Sequence, residues 1–241
     1  MKVVSWNCNL ALKKKFQAIE NTNADIMVFQ ECENAEEDFF DGYRFFWTGR
    51  NENKGLGVLI KDTSARLHAS FQSTFIYFLP IETDEFNILA VWAFNHRAAK
   101  FGDGLSGNPI DALKHYKHWL KGKDQSFVIG DFNNSVIWDK PGKANNFAAI
   151  NQLLESLSFK SVYHQETGDI FGRETTPTLY HTKQQSKPYH IDYIYQQGFK
   201  TKSIDIYEFE DWISLSDHVP VSGNFEVDAN LFLKSTTSSF K

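Results

Sequence analysis

Short apolar runs separated by polar segments recur along the chain, which is the pattern of buried strands joined by loops and helices. The runs are rich in β-branched and aromatic residues and are too short to be buried helices. The strands predicted in this way are Val3–Trp6, Ile26–Phe29, Gly57–Ile60, Phe75–Leu79, Phe86–Trp92, Phe127–Ile129, Ile191–Tyr195 and Val219–Phe225.

Two segments instead repeat apolar residues at three- and four-residue spacing, which is typical of amphipathic helices. One segment runs from Phe147 to Leu157, and the other runs from Ile110 to Leu120 behind Pro109, a residue that suits a first helical turn. Helices and strands alternate in some regions, whereas 55–79 and the region after Asp192 are predicted to be successive strands. This mixture predicts an α/β fold with mixed sheets.

The chain shows neither a repeat of fixed period nor a convincing linker, so we predict one domain over 1–227 and a loose tail over 228–241. No apolar run is long enough for a transmembrane helix, and the first run starts at Lys2 without a leader, so we expect a cytoplasmic location. A net charge of -5 argues against a surface built to attract polyanions from a distance. Cys8 and Cys32 are expected to be small buried residues.

Acidic or amide side chains directly follow three of the predicted strands. Asn7 follows the first strand, Glu31 follows the second, and Asp131 with Asn133 follows the sixth. Open α/β sheets place functional residues at strand ends, because strands hold side chains rigidly at one rim while loops admit the substrate. We therefore expect these side chains to share a site.

Three further polar residues lie beside apolar strands. Asp192 is flanked by Ile191 and Ile194, where an unpartnered acid would be costly to bury, and the pair Asp217 and His218 precedes the last strand. Carboxylate and amide oxygens suit Mg²⁺ or Mn²⁺, whereas the spacing of cysteine and histidine does not suggest zinc. The sequence therefore predicts a hard divalent cation.

Each element has an ordinary structural interpretation when it is taken singly. The Gly-Asp-Phe-Asn segment can be a turn in which the aspartate caps its own backbone, and Ser-Asp-His can be a helix cap or a surface turn. Glu31 opens an acidic stretch that would usually be a solvated face. His190 can be a satisfied core histidine or a phosphate contact.

In order along the chain, these elements resemble the motifs of the endonuclease/exonuclease/phosphatase superfamily. The resemblance covers Lys2 to about Phe225, and its segments are Ser5–Asn9, Gln30–Glu31, Gly130–Asn133, Ile191–Tyr193 and Ser216–His218. It implies a four-layer α/β sandwich in which two mixed sheets pack face to face, with helices outside and the active site at one rim. The first ten residues are most similar to the exonuclease III type, whose members act on DNA.

Phosphoester hydrolysis needs charge neutralisation, a deprotonated water and stabilisation of the leaving oxygen. Asn7 and Glu31 can hold the cation against a phosphate oxygen, and the resemblance implies that Asn9 and Asp217 complete or orient that site. Asn9 is further expected to help bind the substrate.

The acid–base residues are expected beside the metal site. His218 with Asp192 has the form of a histidine oriented by a carboxylate, which would favour the imidazolium. Asp131 and Asn133 resemble residues that align the attacking water and bind the phosphate. The sequence leaves open whether Asp131 or His218 takes the proton.

One position departs from the family pattern, which places a tyrosine or histidine at the end of the strand before the Gly-Asp-x-Asn motif. Trp92 stands there, and an indole N–H cannot transfer a proton as those side chains do. Asn95 and His96 can reach the phosphate from the next turn instead. Trp92 can equally be part of the core.

The leading hypothesis is a DNA endonuclease or exonuclease that cleaves phosphodiester bonds. The alternatives are a phosphatase or phosphodiesterase for a small or lipid-derived phosphoester, and a catalytically inactive binding module. Basic residues that can meet DNA near the rim, or can form a solvated surface, are Lys13, Lys14, Lys15, Arg44, Arg50, Lys54, Arg97 and Lys100. Aromatic residues that can stack on bases, or can belong to the core, are Phe45, Phe46, Trp47 and Trp138.

Overall fold

The computed structural model describes residues 1–94, 108–143 and 146–227 of the chain. The strands of these ranges are β1 (Lys2–Asn7), β2 (Ile26–Cys32), β3 (Arg44–Asn51), β4 (Lys54–Ile60), β5 (Arg66–Leu67), β6 (Phe78–Glu82), β7 (Asn87–Trp92), β8 (Ser126–Asp131), β9 (Lys160–Ser161), β10 (Leu179–Tyr180), β11 (Pro188–Tyr189), β12 (Asp192–Gln197), β13 (Phe199–Ile206) and β14 (Val221–Val227). The α-helices are α1 (Leu12–Glu20), α2 (Pro109–Leu120), α3 (Phe147–Ser156), α4 (Val162–Thr167) and α5 (Phe209–Trp212).

Within the described ranges, the strands form two six-stranded sheets and a two-stranded hairpin of β10 and β11. The first sheet has the order β13-β14-β1-β2-β4-β3, and the second has the order β5-β6-β7-β8-β12-β9. The central pairs β1–β2 and β7–β8 are parallel, and the neighbours on either side are antiparallel. The prediction of mixed sheets is confirmed.

The two sheets pack face to face because alternate residues of their central strands are apolar and point into one shared core. Val28 and Val58 of the first sheet meet Ile88 and Ile129 of the second in this core. The opposite face of the first sheet packs against α1 and α5, and that of the second packs against α2 and α3. The four-layer α/β sandwich is therefore confirmed.

Local sequence explains where the helices begin. Asn108 caps α2 by accepting from the Ile110 N–H at 3.1 Å, and Pro109 occupies the first turn. The first turn of α1 is capped from a distance, since the N–H groups of Leu12 and Lys13 donate to Glu33. The acidic stretch after Glu31 thus contributes a helix cap as well as solvated surface.

Some sequence predictions need correction. Phe75–Leu79 is only partly a strand, because Ser73–Phe75 forms a 3-10 turn and β6 begins at Phe78. The sequence prediction omitted α1, whose three consecutive lysines interrupt its narrow apolar stripe, and also the amphipathic strands β3 and β13.

Several sequence predictions fall on residues outside the described ranges. Asn95, His96 and the tail 228–241 belong to this group, as do Arg97 and Lys100. Among the helices that the structure does describe, none combines the length and apolar character needed to cross a membrane.

Candidate active site

The ends of three strands bring the predicted catalytic side chains together at one rim of the sandwich. Asn7 ends β1, Asp131 ends β8, and Asp192 begins the antiparallel neighbour β12, directly opposite Asp131. Nδ2 of Asn7 donates to Oδ2 of Asp131 at 3.0 Å, so this hydrogen bond joins the two sheets. The rim site is thus assembled across the sandwich.

The Gly-Asp-Phe-Asn segment has a backbone that its sequence requires. Gly130 has φ +148°, and a Cβ there would lie 1.9 Å from the backbone oxygen of Val91, so the position excludes a side chain. Asn133 adopts a left-handed conformation with φ 47°, which asparagine tolerates. Its backbone N–H and its Nδ2 donate to the Asp131 carboxylate at 2.7 and 2.9 Å. The segment is therefore more than a turn, because it fixes a buried carboxylate.

His218 and Asp192 form a buried pair in which Nδ1 of the ring donates to Oδ2 at 2.9 Å. Thr178 Oγ1 accepts from the N–H groups of Ile191 and Asp192 at 3.0 and 3.1 Å, which fixes the start of β12. Oδ1 of Asp192 has no hydrogen-bond partner within the described ranges. Within the described ranges, the hydrogen bond from His218 is therefore the one that the Asp192 carboxylate accepts.

Ser216 explains why His218 lies at this rim. The Ser216 hydroxyl donates to the backbone oxygen of Asn7 at 2.7 Å and accepts from the His218 N–H at 3.1 Å. Trp6 adds an indole hydrogen bond to the backbone oxygen of His218 at 3.1 Å. The Ser-Asp-His segment is thus tied to the end of β1, so it is not a helix cap.

Asp131, Asp192 and His218 form a cluster whose nearest ligand atoms all lie within 4.8 Å of one another. Burial raises the pKa of Asp131 to about 8, and the nearby Asp192 carboxylate adds to this rise. Burial alone would lower the pKa of His218, but the carboxylates of Asp192, Asp131 and Asp217 together outweigh burial and raise the pKa to about 10. At neutral pH the imidazolium prevails, and Asp131 exchanges its proton close to physiological pH.

Glu31 occupies a strained position in the neighbouring strand. Its φ is 59°, and the register of β2 against β4 shifts between Gln30 and Cys32, which marks a bulge. Bulges redirect side chains, and the Glu31 carboxylate meets the Lys54 ammonium at 2.8 Å. Within the described ranges Glu31 therefore forms an ion pair with Lys54 at the bulge.

Asn9 links the other predicted ligands. Its backbone N–H donates to Oδ1 of Asn7 at 3.1 Å, and its Nδ2 donates to Oδ1 of Asp217 at 3.2 Å. Lys15, from α1, donates to the backbone oxygens of Cys8 and Asn9 and so supports the loop. These contacts place Asn9 and Asp217 next to Asn7.

Trp92 lies in the core between the sheets with 2% of its surface exposed. The centroid of its ring lies 4.8 Å from those of Tyr77 and Phe94. Its Nε1 has no hydrogen-bond partner in the part of the chain that the structure describes. Trp92 pairs with Asp131 across the parallel strands β7 and β8. Trp92 is therefore a core residue on the strand next to the one that ends in Asp131.

Other candidate residues have structural roles. His190 is buried, hydrogen-bonds the backbone oxygen of Thr176 through Nδ1 at 2.7 Å, and has a pKa lowered by burial, whereas its Nε2 has no hydrogen-bond partner within the described ranges. Cys8 and Cys32 are buried, as predicted. In β3, Phe46 packs against the core between the two sheets, and Phe45 and Trp47 pack against the core on the opposite face of the first sheet. Trp138, by contrast, is 38% exposed.

Sequence reasoning missed Lys15, Lys54, Thr178 and Ser216 as supports of the site. Ser216 had a local signal, because it stands directly before Asp217 and His218 in a motif segment. Lys54 appeared only as one of many basic residues. Thr178 had no sequence signal, since its contacts with β12 depend on tertiary structure.

Comparison with known proteins identifies the fold. No protein-family model and no curated protein sequence matches the chain. The solved structure of a 3'-5' exonuclease (NExo) from Neisseria meningitidis superimposes with a TM-score of 0.69 at 17% identity, covering 94% of this chain and 100% of that one. A 3' phosphatase NExo variant from Neisseria, bound to a product DNA hairpin, gives 0.70 at 16% identity, covering 94% and 99%.

An AP endonuclease from Archaeoglobus fulgidus is similar to the same extent, with a TM-score of 0.67, 15% identity and coverage of 94% of this chain and 100% of that one. The chain therefore has the same fold as these solved nuclease and phosphatase structures. The resemblance inferred from the sequence motifs is confirmed at the level of the fold.

Proposed function

We propose that this protein is a divalent-metal-dependent phosphoester hydrolase that cleaves DNA phosphodiester bonds. The observation that carries the proposal is the buried cluster of Asp131, Asp192 and His218, held by asparagines at the rim of an exonuclease III-like fold. Three buried titratable groups in contact are costly to maintain for stability alone, which favours a catalytic role.

Glu31, Asn7 and Asp217 would hold a Mg²⁺ or Mn²⁺ ion. They offer oxygen donors, as these hard cations prefer, and the Glu31 carboxylate already accepts a cation in its ion pair with Lys54. The bound cation would neutralise charge on the phosphate and on the leaving oxygen. The donor set therefore fits the proposed cofactor.

The remaining steps belong to side chains of the cluster. Asp131 accepts three hydrogen bonds from Asn7 and Asn133, which fix its carboxylate, and its pKa of about 8 suits removal of a proton from water near neutral pH. His218 is held as an imidazolium by Asp192 and would stabilise negative charge on the phosphate. We therefore assign proton removal to Asp131.

A substrate panel tests the function. Plain duplex, abasic duplex, 3'-phosphorylated duplex, single-stranded DNA, RNA and a small phosphomonoester are incubated with the protein and Mg²⁺, with and without EDTA. We expect cleavage of a DNA substrate that EDTA abolishes and that His218→Ala slows by about two to four orders of magnitude. Glu174→Gln is the control for loss of a buried histidine–carboxylate pair elsewhere in the protein, since Oε1 of Glu174 lies 3.2 Å from Nε2 of His164.

Other results of the panel would redirect the assignment. Turnover of the small phosphoester without DNA cleavage would replace the nuclease by a phosphatase or phosphodiesterase. Binding of DNA without turnover of any substrate would indicate an inactive binding module. A cytoplasmic location stays a prediction, which cell fractionation can test.

A further inference from the structure

Lys54 lies at the rim where the two sheets meet, and its ammonium lies near an acidic side chain of one sheet and an aromatic ring of the other. Its ammonium lies 2.8 Å from Oε2 of Glu31, on the first sheet. The same ammonium lies 5.5 Å from the ring centroid of Trp92, on the second sheet. Lys54 therefore spans the gap between the two sheets beside the proposed metal ligand.

The neighbourhood of Lys54 connects it to the catalytic cluster. Trp92 is the direct cross-strand neighbour of Asp131, and Gln30, the residue before Glu31, is the cross-strand neighbour of Asn7. The buried indole nitrogen of Trp92 gives the site no donor, since it lies between the sheets. The Lys54 side chain, by contrast, is 43% exposed and reaches solvent at the rim.

Charge balance gives Lys54 a second partner. A phosphate that approaches Glu31 meets a carboxylate of the same sign, so a nearby cation must offset the repulsion. If Glu31 serves as a metal ligand, its negative charge is shared and it holds the ammonium less strongly. Lys54 has a flexible four-carbon stem and remains attracted to the Trp92 ring, so its ammonium can turn to an anion without leaving the rim.

We propose that Lys54 is a substrate-binding residue of this site, whose ammonium pairs with Glu31 and, in the complex with substrate, contacts a nonbridging oxygen of the scissile phosphate. This inference rests on the proposed function and adds a specific residue to it. It also makes the ammonium a competitor of the divalent cation for Glu31. Removal of the charge should therefore change metal binding and phosphate binding in opposite directions.

The test compares Lys54→Met with Lys202→Met as a matched control. Lys202 also forms an ion pair with a glutamate, Glu226, at 2.7 Å, and its side chain is 44% exposed, but the pair lies on β13 and β14. Lys54→Arg keeps the positive charge and serves as the conservative variant. Thermal unfolding followed by circular dichroism checks that each variant is folded.

Calorimetric titrations measure Mn²⁺ binding, and then binding of inorganic phosphate to the Mn²⁺-loaded proteins. We expect Lys54→Met to bind Mn²⁺ about two- to five-fold more tightly, as loss of a half-exposed competing ion pair implies. We expect its affinity for phosphate to fall about ten-fold or more, because a charge-assisted hydrogen bond is lost. Lys54→Arg should retain part of the phosphate affinity, and Lys202→Met should match the wild type.

On the best substrate of the panel, Lys54→Met should lower kcat/KM by about 10- to 100-fold. The binding titrations do not depend on turnover. A wild type that hydrolyses no substrate would therefore refute the proposed function, while the phosphate affinities would still decide the role of Lys54. Equal binding of Mn²⁺ and phosphate by Lys54→Met and Lys202→Met would overturn the inference. Weaker Mn²⁺ binding by Lys54→Met would also overturn it, because Lys54 would then support the metal site rather than compete with it.

Discussion

Asp192→Asn removes one negative charge beside a buried histidine and keeps the shape of the side chain. In the wild type, Nδ1 of His218 donates to Oδ2 of Asp192 at 2.9 Å, and the two residues are 5% and 1% exposed. Burial lowers the pKa of His218, but the Asp192 carboxylate, with smaller contributions from Asp131 and Asp217, raises it to about 10. Without this charge, we expect the pKa of His218 to fall to its ordinary value of 6.5 or lower.

The size of the expected effect follows from that pKa change. A tenfold change in proton affinity corresponds to about 1.4 kcal/mol, so a fall from about 10 to 6.5 corresponds to roughly 5 kcal/mol. Asp131 and Asp217 also raise the pKa of His218 whereas burial lowers it, so this figure gives the order of magnitude of the Asp192 effect. At pH 7 the variant would hold a mostly neutral imidazole, and turnover should fall by about two to four orders of magnitude.

The same change makes stability depend on pH with a defined sign. The folded-state pKa of His218 lies above its ordinary value, so the pair stabilises the fold fully below pH 6.5 and loses this contribution as the pH rises through about 10. The free energy of unfolding of wild type should therefore exceed that of Asp192→Asn most near pH 6. The difference should shrink as the pH approaches 10.

Nuclear magnetic resonance of ¹⁵N-labelled histidine measures the titration of His218 directly, and urea unfolding at several pH values measures the stability difference. A double-mutant cycle with His218→Ala tests the pair in catalysis, where the two losses should combine far less than additively. The reasoning is refuted if His218 in Asp192→Asn still titrates near 10, or if the losses in log rate are strictly additive. Glu174→Gln again controls for loss of a buried histidine–carboxylate pair.

Three further predictions concern the metal, the backbone and the substrate. Glu31→Gln should weaken Mn²⁺ binding in calorimetry by about ten-fold or more, because an anionic ligand is lost, and full turnover in excess EDTA would contradict the metal centre. Gly130→Ala should lower the free energy of unfolding in urea by about 3 kcal/mol or more, since its Cβ would meet the Val91 backbone, and a change near zero would contradict the strained geometry. DNA affinity should depend on salt with a log–log slope of about -2 to -4, as expected for two to four neutralised phosphates on an acidic protein, and a slope near -10 would indicate a longer basic track.

The central strands could be predicted from sequence because their apolar runs are buried on both faces. β1, β2, β7 and β8 each lie between a helical layer and the opposite sheet, so nearly every residue in them is buried and their central residues are mostly apolar. The strands β3 and β13 were missed because they are only partly buried and carry charged residues. The helix α1 was also missed, because its buried face consists of only Leu12, Phe16 and Ile19 and three consecutive lysines stand between the first two of them.

The candidate site was predictable where its chemistry follows directly from a strand. Gly130, Asp131 and Asn133 form a local unit, since the glycine permits a backbone that other residues cannot adopt and the asparagine folds back on the aspartate. The grouping of Asp192 with His218 came from the order of motifs along the chain, and the structure places the two side chains in contact. The assigned metal ligands stay a prediction.

The sequence by itself determined the strand ends, the order of the motifs and the residue types at the rim, because these depend on local burial and local backbone geometry. Tertiary structure decided which distant groups meet: Asn7 reaches Asp131 across the two sheets, Ser216 ties His218 to β1, and Lys54 lies between Glu31 and Trp92. Such contacts depend on strand register and on the packing of the sheets, which no local pattern specifies. The pKa of His218 follows from this packing as well, since its cause is a carboxylate 26 positions away in the chain.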